Sequence, residues 1–136
     1  MINDKNNNYN TSAHLTYLCR YHVVFCLKYR RKILTDGKDA RLKDVFTETA
    51  KAHNFEILEM EVMPDHVHLL ISCNPRYGIM ECVKNLKYES AHVLLREFPD
   101  IKRRLPAMWT RSAFIATVGN VSLDVVKQYI KDQKGK

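Results

Sequence analysis

The hydrophobic and polar positions of this chain follow two periods in turn, one typical of strands and one typical of helices. β-branched and aromatic residues, or apolar–polar alternation, predict strands at residues 17–28, 56–63, 66–72 and 114–118. Apolar positions three and four apart predict helices at residues 39–53, 79–98 and 122–133. Ser122 is the expected N-cap of the last helix, after a break at Gly119-Asn120. The chain is therefore predicted to mix strands and helices.

The order of these elements predicts the fold. It is β-α-β-β-α-β-α, and without its last helix it is the order of a ferredoxin-like split βαβ sandwich, an α+β fold with an antiparallel sheet. A turn at Pro64-Asp65 separates the second and third strands, which we expect to pair as a hairpin. Because side chains alternate along a strand, one face of the second strand should carry Leu58, Met60 and Val62 and the other Ile57, Glu59 and Glu61.

The rest of the chain changes this picture little. Its 136 residues suit one domain, here expected at residues 15–136, preceded by a flexible, asparagine-rich polar tail at 1–14. Residues 99–106 are predicted to form an irregular basic loop. No apolar run approaches the ~20 residues that span a bilayer, and no signal peptide is recognisable. We therefore expect a cytoplasmic protein without a membrane partner.

The charge of the chain favours an anionic partner. Lys and Arg number 22 against 15 Asp and Glu, which gives a formal charge of +7. Nucleic acid is the commonest partner of such a protein, because phosphate neutralisation releases counterions. A basic surface that only aids solubility is the alternative. The four cysteines form no C-x-x-C pair and so predict neither a zinc ribbon nor a redox motif.

The most informative motif is His66-Val67-His68 within a predicted strand. Residues two apart on a strand share a face, so the two imidazoles point together while Val67 points into the opposite layer. Such a pair suits a metal ion or a phosphate, although a packing role is possible for either ring. The histidine-triad hydrolases need a third alternating histidine, where this chain has Leu70. The remaining histidines and cysteines do not complete a structural zinc site.

A second cluster lies in the last predicted helix. Leu123, Val126 and Ile130 form its apolar stripe. Tyr129 and Gln133 are four residues apart and share a neighbouring face. Taken alone, a helical tyrosine usually packs and a glutamine near a helix end usually faces solvent.

Taken together, the motifs resemble those of a known family. They are Met-Pro-Asp-His-Val-His-Leu-Leu from Met63, Met-Trp-Thr-Arg-Ser from Met108 leading to Thr-Val-Gly from Thr117, and Tyr129-Ile130-x-x-Gln133. This combination resembles the single-tyrosine HUH transposases of the IS200-like family. The resemblance extends from about residue 17 to residue 133 and includes Tyr29-Arg30-Arg31. It implies small homodimers with a ferredoxin-like core that move insertion sequences as single-stranded DNA.

The resemblance also implies roles for single residues. It makes His66, His68 and Gln133 the ligands of a divalent metal, Mg²⁺ or Mn²⁺, and Tyr129 the nucleophile. The phenol would attack a scissile phosphate and form a 5′-phosphotyrosine. DNA hairpins at the ends of the element are the implied substrate. In the implied homodimer, the tyrosine helix of one subunit completes the histidine site of the other.

Basic residues near loops or on one helix face are candidates for phosphate contacts. They are Arg30, Arg31, Lys32, Lys84, Lys87, Arg103, Arg104 and Arg111. Any one of them could equally be a solvated surface charge. Two alternatives to the transposase remain, a domesticated relative that acts on dispersed palindromic repeats and a non-catalytic sandwich that only binds nucleic acid.

Overall fold

A four-stranded antiparallel sheet forms the centre of the protein. The computed structural model describes residues 10–12, 14–118 and 123–133. The strands of the sheet are β3 Arg20–Cys26, β4 Glu56–Val62, β5 His66–Ser72 and β6 Phe114–Thr117. They lie in the order β4-β5-β3-β6, so that β5 and β3 are central. A separate two-stranded pair consists of β1 Asn10–Ser12 and β2 Leu15–Tyr17.

Helices cover both faces of this sheet. Their bounds are α1 Lys38–Ala52, α2 Ile79–Glu97, α3 Pro99–Arg104 and α4 Leu123–Asp132. Helices α1 and α2 share one hydrophobic core with every second residue of the central strands, including Val23, Phe25, Val67 and Leu69. Helix α4 contacts β3 from the opposite face. The α+β, ferredoxin-like arrangement and the β4–β5 hairpin predicted from the sequence are confirmed.

Strand β4 contains a bulge, so the residues on its two faces differ from those predicted. Ile57 pairs with Ile71 and Glu59 pairs with Leu70, so Leu58 is an extra residue without a partner in the ladder. The bulge reverses the alternation, and Ile57 packs on the core with Met60 and Val62 while Leu58 is 40% exposed. The prediction was wrong for Ile57 and Leu58, because strict alternation does not survive an inserted residue.

Two further segments differ from their predictions. Residues 99–104 form the short helix α3, where a loop was predicted, because Pro99 suits the first helical position and Ile101 packs into the core. Within the predicted tail, Asn10–Ser12 form β1, whose register pairs Asn10 with Tyr17. Asn10 also donates a hydrogen bond from Nδ2 to Ser72 Oγ at 3.2 Å. A strand is therefore present at residues 10–12, within the segment predicted to be a flexible tail.

Some predictions fall on residues that the structure does not describe. These are most of the tail, at residues 1–9, the break at Gly119-Asn120 and the N-cap at Ser122. Within the described part of the chain, no helix is long and apolar enough to cross a membrane. The cysteines at positions 19, 26, 73 and 82 are all free.

Candidate active site

The two motif histidines lie on the same face of the central strand β5. The register pairs His66 with Cys26 and His68 with Val24 on the neighbouring strand β3. Val67, between the histidines, is fully buried in the opposite layer. The shared face predicted for the imidazoles is confirmed. Both rings are partly exposed and therefore accessible from the α4 side of the sheet.

Asp65 orients the first of these histidines. Its Oδ1 lies 2.7 Å from His66 Nδ1 and its Oδ2 accepts a 2.6 Å hydrogen bond from Arg30 Nε. The Asp65 side chain is only 8% exposed. Burial alone would raise the pKa of Asp65, but the bonds from His66 and Arg30 lower it below its ordinary value. In the tautomer that donates Nδ1–H to this carboxylate, the Nε2 lone pair of His66 is free to bind a metal, an arrangement common among metal-bound histidines.

An unusual backbone brings Arg30 to this position. Tyr29 and Arg30 have φ values of 58° and 50°, in the left-handed region of backbone conformation that residues other than glycine rarely adopt. This turn follows β3 and directs Arg30 toward Asp65 and α4. Arg30 Nη1 donates a 2.8 Å hydrogen bond to the carbonyl oxygen of Ile130. That carbonyl lies in the last turn of α4, where backbone acceptors lack helical partners and a cation is favoured.

Helix α4 places Tyr129 over the sheet face that bears the histidines and Gln133 beside the segment before β6. The Tyr129 ring contacts Phe114 with a centroid distance of 5.3 Å. Phe114, Val24 and His68 form one row across three strands, so His68 is about 10 Å from Phe114 at the usual strand spacing. Gln133 is 5% exposed, and its Oε1 accepts a 2.9 Å hydrogen bond from the Ser112 hydroxyl.

The hydroxyl of Tyr129 is buried without a hydrogen-bond partner among the described residues. Burial raises the pKa of this phenol above its ordinary value of 10.0, and the nearby Ser112 hydroxyl opposes part of the rise. The Ser112 hydroxyl forms no hydrogen bond of good geometry with the phenol, because it donates its proton to Gln133. The side chain is therefore protonated at neutral pH. A buried polar group without a partner is uncommon in native proteins and requires an explanation.

The residues on this face match the donor preferences of a divalent ion. Two imidazole nitrogens and an amide oxygen suit Mn²⁺, and the oxygen also suits Mg²⁺. Burial, together with the nearby His22, lowers the pKa of His68, so its ring is neutral at pH 7 and its lone pair is available. Among the residues that the structure describes, no group of three His, Cys, Asp or Glu side chains could hold a metal ion. A ligand set here therefore needs Gln133 or oxygen atoms of a substrate.

The predicted phosphate contacts divide into two groups. Six of them are exposed, namely Arg31, Lys32, Lys84, Arg103, Arg104 and Arg111. Lys87 instead points inward and donates from Nζ to the carbonyl oxygens of Thr110 and Ser112, both at 2.9 Å. Arg30 is tied to Asp65 and Ile130. Lys87 is thus not an exposed surface cation, because two backbone acceptors draw its ammonium into the protein.

Sequence reasoning missed several residues that complete this face. Asp65, Ser112 and Phe114 each contact a predicted site residue. Asp65 carried a signal, since an acid directly before a motif histidine is well placed to bind its ring. His22, whose ring centroid is 5.5 Å from that of His68, carried none. Its contact depends on the pairing of β3 with β5 and not on local spacing.

Comparisons with known proteins identify the family of this chain. A family model described as IS200-like transposase matches residues 15–133. The ISDra2 transposase TnpA of Deinococcus radiodurans is 37% identical over 122 residues, which are 88% of this chain and 87% of that protein. The transposase of insertion sequence element IS200 from Salmonella typhimurium is 32% identical over 123 residues, covering 89% of this chain and 80% of that protein.

Solved structures give the same result. A crystal structure from Deinococcus radiodurans R1, assigned to a transposase, superposes with a TM-score of 0.85 at 32% identity and covers 93% of this chain and 99% of its own. A REP-associated tyrosine transposase bound to a REP hairpin shares the fold at a TM-score of 0.58 and 15% identity, covering 88% and 68%. The protein is thus of the DNA transposase class. Within that class, the chain belongs to the IS200-like transposase family.

Proposed function

We propose that this transposase cleaves and rejoins single-stranded DNA with Tyr129 as its nucleophile. One observation carries the proposal, the buried Tyr129 hydroxyl that has no partner among the described residues. It lies on a helix that packs against the sheet face bearing His66 and His68. Leaving such a group unpaired costs about 1–3 kcal/mol. A DNA phosphate bound at this face would supply the absent partner.

The reaction is a transfer of the phosphoryl group to the phenol. Tyr129 Oη forms a bond to phosphorus while the bond from phosphorus to the 3′ oxygen breaks. Overall, the phenol proton passes to the departing oxygen, which leaves as a 3′-hydroxyl, and the protein carries a 5′-phosphotyrosine. Because this link keeps the phosphodiester energy, rejoining needs no ATP. Because burial raises the pKa of Tyr129, the phenol enters the reaction protonated, and its proton must be transferred as the bond to phosphorus forms.

A divalent ion, Mg²⁺ or Mn²⁺, belongs to the proposal. When bound, it would neutralise charge on the scissile phosphate and polarise the phosphorus. His66, His68 and Gln133 are the residues that would hold it. Asp65 fixes the orientation of His66, and Ser112 fixes that of Gln133. These two supporting contacts reduce the freedom that metal binding would otherwise remove.

The proposed substrate is a DNA hairpin at an insertion-sequence end. The six exposed candidate cations and the net charge of +7 support binding to nucleic acid. A transposase of the same fold has been solved with a REP hairpin. A domesticated relative acting on palindromic repeats would share this chemistry and differ only in the sequence of the hairpin.

We further propose a homodimer with shared active sites. The described contacts of helix α4 with the rest of the protein include Arg30 with Ile130, Ser112 with Gln133 and Phe114 with Tyr129. The α4 of a second subunit could make the same contacts. Mixed dimers of a Tyr129→Phe chain and a His66→Ala chain test this arrangement. One restored active site per dimer would support sharing, whereas a complete loss of cleavage would indicate that each chain uses its own tyrosine.

The main experiment detects the covalent intermediate. Labelled single-stranded hairpins from element ends are incubated with Mg²⁺ or Mn²⁺ and resolved on a denaturing gel. We expect a protein–DNA band that disappears with chelator and in Tyr129→Phe. Tyr88→Phe is the matched control, since Tyr88 is a 58% exposed tyrosine on α2. The control should keep the band.

A non-catalytic hairpin-binding protein is the second candidate. The basic surface alone is sufficient for it. In that case, hairpins would bind with equal affinity with and without the metal, and neither wild type nor any variant would form the covalent band. That result would show that Tyr129 is not a nucleophile in this protein and would leave DNA binding as its function.

A further inference from the structure

A basic cleft lies between the turn after β3 and helix α4. Its volume is about 360 Å³, and it is lined by Arg30, Lys127, Ile130 and Lys131. Three of these side chains are cationic, and none of the lining residues that the structure describes is acidic. We call the space enclosed by these four residues the basic cleft. Neither Lys127 nor Lys131 was singled out by the sequence motifs.

Arg30 forms a fixed base for this cleft. Asp65 holds its Nε, and the Ile130 carbonyl holds one Nη1 proton. A guanidinium has five N–H donors, so these two bonds leave others available. The side chain is 22% exposed, and its left-handed backbone limits other placements. An arginine held in this way loses little freedom when it binds an anion.

The two lysines extend the charge of this base along α4. Lys127 and Lys131 are one helical turn apart and both are exposed. Neither forms an ion pair with a residue in the described part of the chain. Like charges at this spacing repel one another and destabilise a helix slightly. A bound anion would remove that repulsion.

We propose that the basic cleft binds a backbone phosphate of the single strand within two nucleotides of the scissile phosphate. This inference rests on the proposed function. Two short contacts connect the cleft with the site, because Arg30 binds Asp65 at 2.6 Å and Asp65 binds His66 at 2.7 Å. Ile130 follows the nucleophile Tyr129 directly and offers an apolar surface to the sugar. Phosphate contacts of this kind position a strand without reading its sequence.

The first test measures binding without chemistry. In a Tyr129→Phe background, Lys127→Gln/Lys131→Gln is compared with Lys43→Gln/Lys51→Gln, which changes two exposed lysines on α1. We expect the cleft variant to bind single-stranded oligonucleotides several-fold more weakly than the control, whatever their sequence. The slope of log affinity against log salt should fall by about 0.7 for the one phosphate lost. Equal affinity and slope in the two variants would overturn the proposal.

The second test locates the phosphate. Each phosphate near the cleavage point is replaced in turn by an uncharged methylphosphonate. The parent protein should lose affinity at one position within two nucleotides of the scissile phosphate, and the cleft variant should be insensitive there. If the variant stays as sensitive as the parent at every position, the proposal is wrong. Both tests use the Tyr129→Phe protein, so absence of the covalent band would reject the proposed chemistry without affecting them.

Discussion

The Ser112 hydroxyl donates a 2.9 Å hydrogen bond to the side-chain oxygen of Gln133. This bond joins the segment before β6 to the residue after the end of α4. Gln133 is 5% exposed, so its amide is held inside the protein although it lies near the end of the described chain. The proposed third metal ligand therefore has a defined orientation before any metal binds.

Replacing Ser112 tests the value of this orientation. In Ser112→Ala, the buried Gln133 oxygen loses its donor, which we expect to cost about 1 kcal/mol of stability. The Mn²⁺ concentration for half-maximal covalent product should rise, because Gln133 must be ordered by the metal itself. Titration of Mn²⁺ in the cleavage assay measures this shift. Thr47→Ala, which removes an exposed hydroxyl on α1, is the control, and an equal metal requirement in both variants would contradict a role for Ser112.

Tyr129→Phe should separate activity from stability. Its lost hydroxyl has no partner among the described residues, so the variant should be as stable as wild type or more stable by about 1 kcal/mol. Tyr77→Phe is the matched comparison, because the Tyr77 oxygen accepts a 2.6 Å bond from Asn85. That variant should lose about 1 kcal/mol. Urea unfolding measures both, and a clear loss of stability in Tyr129→Phe would mean that the hydroxyl is bonded in solution.

Asp65→Asn should weaken metal binding. In the tautomer that leaves His66 Nε2 free for a metal, both carboxylate oxygens of Asp65 face N–H donors, from His66 and from Arg30. An amide can accept at only one of these positions, and its NH₂ group then faces a donor at the other. We expect a loss of about 2 kcal/mol in stability and a rise of about 10–100-fold in the metal requirement. Asp44→Asn on the exposed side of α1 should change neither quantity.

Lys87 should make the free energy of unfolding depend on pH. Burial lowers the pKa of its ammonium to about 8, from 10.5 in the unfolded chain. Between these two values the unfolded chain holds a proton that the folded protein has lost, so stability rises with pH. The full change corresponds to about 3 kcal/mol. Below pH 8 both states are protonated, and this contribution to the pH dependence vanishes.

The comparison of Lys87→Met with wild type isolates this effect. Unfolding free energies are measured from pH 7 to pH 10.5, and the variant should lack the rise attributable to Lys87. Cys26, whose thiol pKa burial raises to about 11, interacts electrostatically with Lys87 and is common to both proteins. Lys84→Met removes an exposed lysine one turn earlier and should retain the wild-type profile. Parallel profiles for wild type and Lys87→Met would contradict a lowered pKa for Lys87.

Periodicity predicted those features of the fold that depend on neighbouring residues. The shared face of His66 and His68 follows from a period of two, and the spacing of Tyr129 and Gln133 follows from a helical turn. The bulge at Leu58 could not be predicted in this way, because it exists only relative to the partner strand. Helix α3 was not predicted because it is only six residues long and buries a single side chain, that of Ile101, which is too little to show a helical period.

The roles of the basic residues show the same limit at the site. Arg30 and Lys87 were both predicted to contact DNA on the strength of their charge, and both also have partners within the protein that the sequence did not reveal. Their partners in the fold are distant in sequence, Asp65 for Arg30 and the carbonyl groups of Thr110 and Ser112 for Lys87. A sequence shows how many cations a protein has but not which acceptors the fold brings to them. The exposed candidates remain predictions for DNA contact.

Because Leu58 has no partner in the ladder, β4 could be one residue shorter and still form the same strand pairs. Deleting Leu58 would place Ile57 beside Glu59 and let both keep their present partners, Ile71 and Leu70, in an unbroken ladder. Met60 and Val62 would stay in the core, and Glu61 would stay opposite His68. A relative with a one-residue gap here could therefore have the same sheet and the same histidine face. Such a gap in an alignment would mean that the bulge residue is absent and that the fold is unchanged.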